Sequence, residues 1–105
     1  MEVYYYTSGK RQPVREYVDA LSQEERAVVA AALLDIEEHD LEGTTVTRHI
    51  GGKLWELKIT RHRIFYVIIV GPVMVLLHAY KKQGQKAPSR ELDVARKRMK
   101  EVLGE

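Results

Sequence analysis

Basic side chains surround one apolar stretch of this sequence, residues 54–82. Three lie at its first turn and two follow its last apolar run: Lys58, Arg61, Arg63, Lys81 and Lys82. Arginine binds phosphate through paired hydrogen bonds and lysine binds it as a point charge. Both also stabilise the extra negative charge of a phosphoryl-transfer transition state. The pattern therefore indicates a phosphate site, although solvated charges at turns and sheet edges would look the same.

Histidines and tyrosines in the same stretch are the other residues that could do chemistry. His62 lies in the basic turn, where it would be a proton carrier or an ordinary surface residue. His78 lies in an apolar run, where it would be a hydrogen-bonded, half-buried residue, an RNA contact or an acid–base group. Tyr66 and Tyr80 would either pack within strands or stack on bases.

The sequence indicates no metal or cofactor site. The four histidines show no i, i+4 pairing of the kind that binds metal on a helix. The absence of cysteine excludes disulfides and thiolate ligands. There is also no phosphate loop, nucleotide-binding glycine motif or Ser/His/Asp order. A metal site is therefore not expected.

The first strand of the apolar stretch places a lysine on an open face. Residues 54–60 alternate between apolar and polar side chains, which is typical of a half-buried strand. The apolar set that would face the core is Trp55, Leu57 and Ile59. Lys58 is therefore predicted on the opposite side of the sheet. Ahead of this strand, residues 43–52 would form a polar loop or a weak strand.

Two further strands would complete a meander. Residues 63–70 and 73–80 are apolar on both faces, as in central strands, and Gly71-Pro72 provides the turn between them. In a meander, the end of the last strand would lie beside the start of the preceding one. All five basic residues could then converge on one patch.

Helices are predicted on either side of these strands. An aromatic strand over residues 2–7 comes first, and Pro13 suits the first turn of a helix. Ser22 and Glu25 form a capping box that begins a second helix, and Ser89 is predicted to cap the last one. The element order is β-α-α-β-β-β-α. It predicts an α+β fold of two layers, an antiparallel sheet with the helices packed on one face.

Charge is distributed unevenly along the chain. The 105 residues suit one domain, and the net charge is only +2. Residues 1–47 nevertheless hold four Lys and Arg against ten Asp and Glu, whereas residues 48–105 hold thirteen against five. This asymmetry favours a polyanion-binding face opposite an acidic face. A dipolar soluble domain without a nucleic-acid role is the alternative.

Neither secretion nor membrane insertion is expected. The N-terminal residues show no basic segment followed by a long apolar run, so no signal peptide is predicted. The apolar run over residues 64–80 is interrupted by Gly71-Pro72 and is shorter than the roughly 20 residues of a spanning helix. A cytoplasmic location is therefore expected.

Residues 54–99 resemble the RelE/ParE toxin superfamily, and in particular its HigB-like, phage-derived branch. The resemblance lies in the motifs L-W-E-L-K, R-I-F-Y, L-L-H-A-Y-K-K and Q-K-A-P-x-x-E, followed by A-x-x-R within a helix. These motifs cover about half of the chain, and the predicted element order agrees with the RelE-like fold over the rest.

The resemblance implies the toxin of a type II toxin–antitoxin pair. RelE-like toxins cleave mRNA, usually in the ribosomal A site, by attack of a 2′-hydroxyl on the adjacent phosphate and without a metal. By motif, it implies catalytic roles for Lys58, Arg63 and Lys82. The implied RNA-binding residues are Arg61, His62, His78, Tyr80, Lys81 and Lys86. The implied partners are mRNA, the ribosome and a cognate antitoxin with a HigA-like helix-turn-helix.

Two questions stay open at this level. The sequence has no counterpart of the C-terminal tyrosine of RelE, because Pro88 or Ser89 falls near that place. The general acid is therefore unassigned among His62, His78 and Tyr80. The ParE branch shares the fold but poisons gyrase without a nuclease site, and an inactive RNA-binding relative would also share these motifs.

Overall fold

The computed structural model describes residues 1–105 and contains five strands and three helices. In chain order these are β1 (Glu2–Tyr5), α1 (Pro13–Asp19), α2 (Gln23–His39), β2 (Val46–Gly51), β3 (Leu54–Ile59), β4 (His62–Ile68), β5 (Val73–Lys81) and α3 (Ser89–Leu103). A short 3-10 turn, Asp40–Glu42, follows α2. The predicted α+β class is confirmed. The segment described as a polar loop or weak strand forms β2, which pairs with β3.

The sheet is mixed, whereas an antiparallel sheet was expected. Its strand order is β1-β5-β4-β3-β2. The four strands β2 to β5 form an antiparallel meander, and β1 joins its far edge parallel to β5. The orientation of β1 follows from the path of the chain. After α1 and α2 cross to the opposite edge, β2 runs in the direction opposite to β1, and three successive antiparallel pairings return β5 to the direction of β1.

The helices cover both faces of the sheet, so the prediction that all pack on one face is wrong. One apolar cluster joins α1 and α2 to the sheet through Val14, Val29, Ile36, Leu57, Ile64 and Leu76, among others. A second cluster on the opposite face joins α3 to Phe65, Val67 and Leu77. Because β4 and β5 are apolar on both faces, each face needs a covering layer.

The caps at two helix starts can be compared with their predictions. The backbone N–H of Glu25 donates to Ser22 Oγ at 3.2 Å, as the capping box at the start of α2 predicts. Ser89 was predicted to be the N-cap of α3, but it is the first helical residue and Pro88 precedes it as the cap without a side-chain bond. None of the three helices is long and apolar enough to cross a membrane.

A β-bulge changes which face the end of β5 presents. Pairing with β4 shifts between Phe65 and Tyr66, where Phe65 lies opposite His78 and Tyr66 lies opposite Leu76. Leu77 is therefore the extra residue. A bulge leaves one residue unpaired and reverses the alternation beyond it. As a result, His78 and Tyr80 lie on the same face as α3, together with Leu77.

Candidate functional site

Two rows of side chains cross the face of the sheet on which α3 packs. The strand register aligns Val46, Lys58, Arg63 and Tyr80 in the first row. The second row consists of Arg48, Glu56, Phe65 and His78. Side chains directly opposite one another on neighbouring strands lie about 5 Å apart at Cβ. The ladder therefore brings Lys58 beside Arg63 and Arg63 beside Tyr80.

Arg63 is anchored by its own hairpin. Its Nη1 donates to the Thr60 carbonyl at 2.8 Å and to the His62 carbonyl at 3.0 Å. Its Nε is sealed from solvent without a partner, whereas its Nη2 is neither sealed nor bonded within the chain. The backbone thus fixes the guanidinium while one edge of it stays available to an incoming acceptor. A phosphate oxygen is an acceptor that this edge would bind well.

A polar cleft of about 440 Å³ opens beside Arg63. Its lining residues are Arg61, Arg63, Lys82, Gln83, Gly84 and Gln85. No carboxylate lines it, so three cations face the cleft without a local counter-charge. The backbone N–H of Lys82 donates to the Arg61 carbonyl at 2.8 Å, which ties the loop after β5 to the β3–β4 turn. This geometry suits an anion.

A second cleft, of about 360 Å³, continues from the first. It is lined by Arg48, His49, Ile50, Gln85, Lys86, Ala87 and Leu92, and Gln85 belongs to both clefts. Lys86 was a predicted RNA-binding residue and is exposed here. Arg48 was not predicted, because its segment was described only as a polar loop or a weak strand, without a pairing partner. The residues around Arg48 form no motif that would mark it as a binding residue.

Glu56 supplies a buried negative charge next to these cations. It is only 1% exposed, its Oε1 lies 3.5 Å from Arg48 Nη2, and its Oε2 is sealed without a partner. A buried carboxylate with an unmet oxygen is costly. Its place in the second row makes it the counter-charge for a mainly basic face. Strand alternation indicated its face, since it shares that of Lys58, but not its burial.

The Tyr80 ring is covered, but its hydroxyl is free. The residue is 7% exposed, and the ring lies against Phe65 with centroids 5.6 Å apart. The hydroxyl has no hydrogen-bond partner in the chain and is not among the sealed polar atoms. Burial raises the pKa of Tyr80 to about 12, the charge of Glu56 adds to the shift, and Arg63 opposes it. Tyr80 therefore offers a protonated oxygen rather than a stacking surface.

Tyr66 also offers no stacking surface for a base. It is fully buried on the opposite face, in the cluster with α1 and α2, and its hydroxyl bonds the hydroxyl of Thr47.

Lys81 does not join the patch, so the predicted convergence is wrong for this residue, and His62 likewise lies on the other face. They pair with each other across β4 and β5 on the face covered by α1 and α2. His62 is buried, with Nδ1 2.6 Å from the Tyr17 hydroxyl and Nε2 3.0 Å from Glu25 Oε1. Lys81 Nζ lies 3.9 Å from the same carboxylate oxygen. Consecutive strand residues point to opposite faces, which separates His62 from Arg63 and Lys81 from Lys82.

His78 lies on the same face as Arg63, but both of its ring nitrogens already have hydrogen-bond partners. Its Nε2 is 2.8 Å from Glu91 Oε1, and its Nδ1 is 3.2 Å from Arg98 Nη1. An arginine only donates, so Nδ1 accepts and Nε2 donates its proton to Glu91. Arg98 also donates to the Leu77 carbonyl at 3.0 Å, at the bulge. His78 thus holds α3 against the sheet.

Comparison with known protein families identifies the chain. The family model described as "Phage derived protein Gp49-like (DUF891)" matches residues 16–100. No curated protein matches the chain. Because the match covers most of its length, the protein belongs to the Gp49-like family, a family of RelE/HigB-like toxins. The predicted resemblance is confirmed at that level, and membership is consistent with a toxin of the toxin–antitoxin type.

Proposed function

We propose that this Gp49-like protein is the toxin of a type II toxin–antitoxin pair and acts as a ribosome-dependent endonuclease on mRNA. One observation carries the proposal. Arg63 lines a cleft bordered by three cations and no carboxylate, and Lys58 lies opposite Arg63 on the neighbouring strand. Such a cluster suits a phosphodiester whose negative charge increases during reaction. Family membership supports the toxin role.

The proposed reaction is attack of a ribose 2′-hydroxyl on the adjacent phosphate. In this scheme, the free edge of Arg63 and the ammonium of Lys82 hold the non-bridging oxygens. Lys58 lies on the other side of Arg63 and stabilises the charge that develops on the attacking oxygen. No cofactor enters the scheme, because the basic side chains supply the positive charge that a metal would otherwise provide.

The flanking RNA backbone would follow the two clefts. Arg61 contacts a phosphate beside the scissile one, and Arg48 and Lys86 contact phosphates in the second cleft. This path explains why basic residues outside the first row share its face. His62 and Lys81 lie on the opposite face and His78 is held under α3, so they are left out of the proposed RNA path.

A cognate antitoxin would neutralise the protein in the cytoplasm. Family membership implies an antitoxin partner, and we expect it to be a small HigA-like protein with a helix-turn-helix. A gene for such a protein next to the toxin gene would support this pairing.

Controlled induction in bacteria tests the proposed function. Induction of the wild-type protein should stop growth, and mapping of transcript 5′ ends should show new cleavage sites inside coding regions. Arg63→Ala and Lys58→Ala should relieve growth arrest and remove the new ends, whereas Lys81→Ala, on the other face, should retain both effects. Toxicity in both alanine variants, or DNA damage without new transcript ends, would contradict the proposal; the latter would indicate a gyrase inhibitor.

A further inference from the structure

Cleavage by a 2′-hydroxyl needs a proton donor as well as positive charge. The O2′–P bond forms while the P–O5′ bond breaks, so the 2′-oxygen loses a proton to solvent water and the departing 5′-oxygen gains one from a donor. The products are a 2′,3′-cyclic phosphate and a 5′-hydroxyl. Lys and Arg stabilise the phosphorane charge, but an alkoxide leaving group departs much faster when a general acid protonates it.

The two histidines near the site cannot serve as this acid. His62 is 1% exposed on the face covered by α1 and α2, and both of its ring nitrogens have partners there. His78 donates its Nε2 proton to Glu91 and accepts at Nδ1 from Arg98. Protonating a leaving group would require His78 to break its contacts with α3.

Tyr80 lies beside Arg63 and has an unpartnered hydroxyl, so it is the candidate donor that the strand register offers. It lies directly opposite Arg63 across the β4–β5 ladder, in the same row as Lys58. Packing against Phe65 fixes its ring, and its hydroxyl reaches solvent without a partner in the chain. On the basis of the proposed function, we propose that Tyr80 is the general acid that protonates the departing 5′-oxygen.

Tyr80 keeps its proton at neutral pH, chiefly because burial disfavours the phenolate. Burial and the carboxylates of Glu56 and Glu91 raise its pKa, and the opposing effects of Arg63 and Arg48 are smaller, so the pKa is about 12. A phenol that is fully protonated at working pH can donate to an alkoxide, which is a far stronger base.

A leaving-group substitution tests this role directly. Programmed ribosomes would carry either an ordinary mRNA or the same mRNA with sulfur replacing the bridging 5′-oxygen at the cleaved linkage. A thiolate leaves without protonation, so a variant that lacks its general acid should recover on the sulfur substrate. Tyr80→Phe should cleave the oxygen substrate about 10²- to 10⁴-fold more slowly than wild type, and it should cleave the sulfur substrate within about tenfold of wild type.

A matched control removes a hydroxyl from the other face. Tyr66→Phe deletes a hydroxyl that bonds Thr47 under α1 and α2, and its cleavage of both substrates should match that of wild type. Thermal melting would show that both phenylalanine variants are folded.

The outcomes separate the two proposals. If wild type cleaves the oxygen substrate and Tyr80→Phe cleaves it equally fast, the role of Tyr80 is overturned while the nuclease stands. If Tyr80→Phe is folded and slow on both substrates, the hydroxyl does not act as the general acid. If wild type cleaves neither substrate, both the proposed nuclease function and the role of Tyr80 as general acid are overturned.

Discussion

Lys58 and Arg63 face each other across the hairpin of β3 and β4, and the side chain of Arg63 hydrogen-bonds the turn between them. Arg63 donates to the Thr60 carbonyl within that turn, and Thr60 adopts a positive φ of 54°. A β-branched residue rarely adopts this conformation, so local strain is accepted where the turn is formed. The geometry of the hairpin therefore fixes the positions of both neighbouring cations.

Arg63→Lys should keep the charge but lose most of the function. Lysine cannot bond the Thr60 and His62 carbonyls while offering a second edge to phosphate. We expect mRNA cleavage to fall by about 10- to 100-fold, measured by primer extension on programmed ribosomes. Arg61→Lys, at an exposed position in the same cleft, should have a much smaller effect. Equal activity of Arg63→Lys and wild type would show that charge alone is sufficient.

Lys82 and Lys81 form a natural matched pair, because they are adjacent in sequence and point to opposite faces. Lys82→Ala should weaken binding of single-stranded RNA and reduce the slope of log affinity against log salt by about 0.7. Lys81→Ala, whose Nζ lies near Glu25, should leave the slope unchanged. Fluorescence anisotropy over a salt series would measure both. Equal effects of the two variants would mean that the RNA contacts both faces of the strand end.

His62 should contribute to stability rather than to RNA binding. His62→Ala removes a buried ring together with its bonds to Tyr17 and Glu25. We expect a loss of about 2–4 kcal/mol in the free energy of unfolding. Tyr17→Phe removes one of these bonds and should cost about 1 kcal/mol. Urea denaturation would measure both, and a stable His62→Ala protein with weakened RNA affinity would contradict this assignment.

Stability should decline at alkaline pH because of Tyr80. An unfolded tyrosine has a pKa near 10, whereas burial raises the pKa of Tyr80 to about 12 in the folded chain. The unfolded state therefore releases its proton first, and the stabilisation is complete below about pH 10 and is lost as the pH rises toward about 12. Burial also raises the pKa of Tyr5, Tyr17 and Tyr66. Tyr80→Phe should thus flatten only part of the decline, measured by urea denaturation across this range.

Local periodicity was sufficient to predict the face of Lys58 and most of the elements. Alternation along β3 placed Lys58 opposite Leu57 and Ile59, and the structure confirms that separation. Alternation also places Lys81 and Lys82 on opposite faces. They were nevertheless predicted in one patch because they are adjacent in sequence. The convergence hypothesis failed for Lys81 because the positions of strand ends do not indicate the directions of side chains.

The rest of the site depends on features without a local signal. The bulge at Leu77 decides the face of Tyr80, and regular alternation from Val75 would place Tyr80 on the wrong side. The partnership of Arg48 with Glu56 requires knowledge that β2 is a strand and of its register. α3 packs on the second face because both faces of the sheet are apolar and α1 and α2 cover only one of them. These are consequences of packing across the whole sheet, which a short sequence window does not contain.

The parallel pairing of β1 with β5 also bears on how the protein is made. β1, in which Glu2 pairs with Val73, is translated before β5 and must wait for it before it can enter the sheet. Contacts so distant in sequence form late and slow folding. The proposed site likewise needs β5 and the loop that follows it. A nascent chain would thus lack the proposed site until β5 and the loop that follows it have left the ribosome.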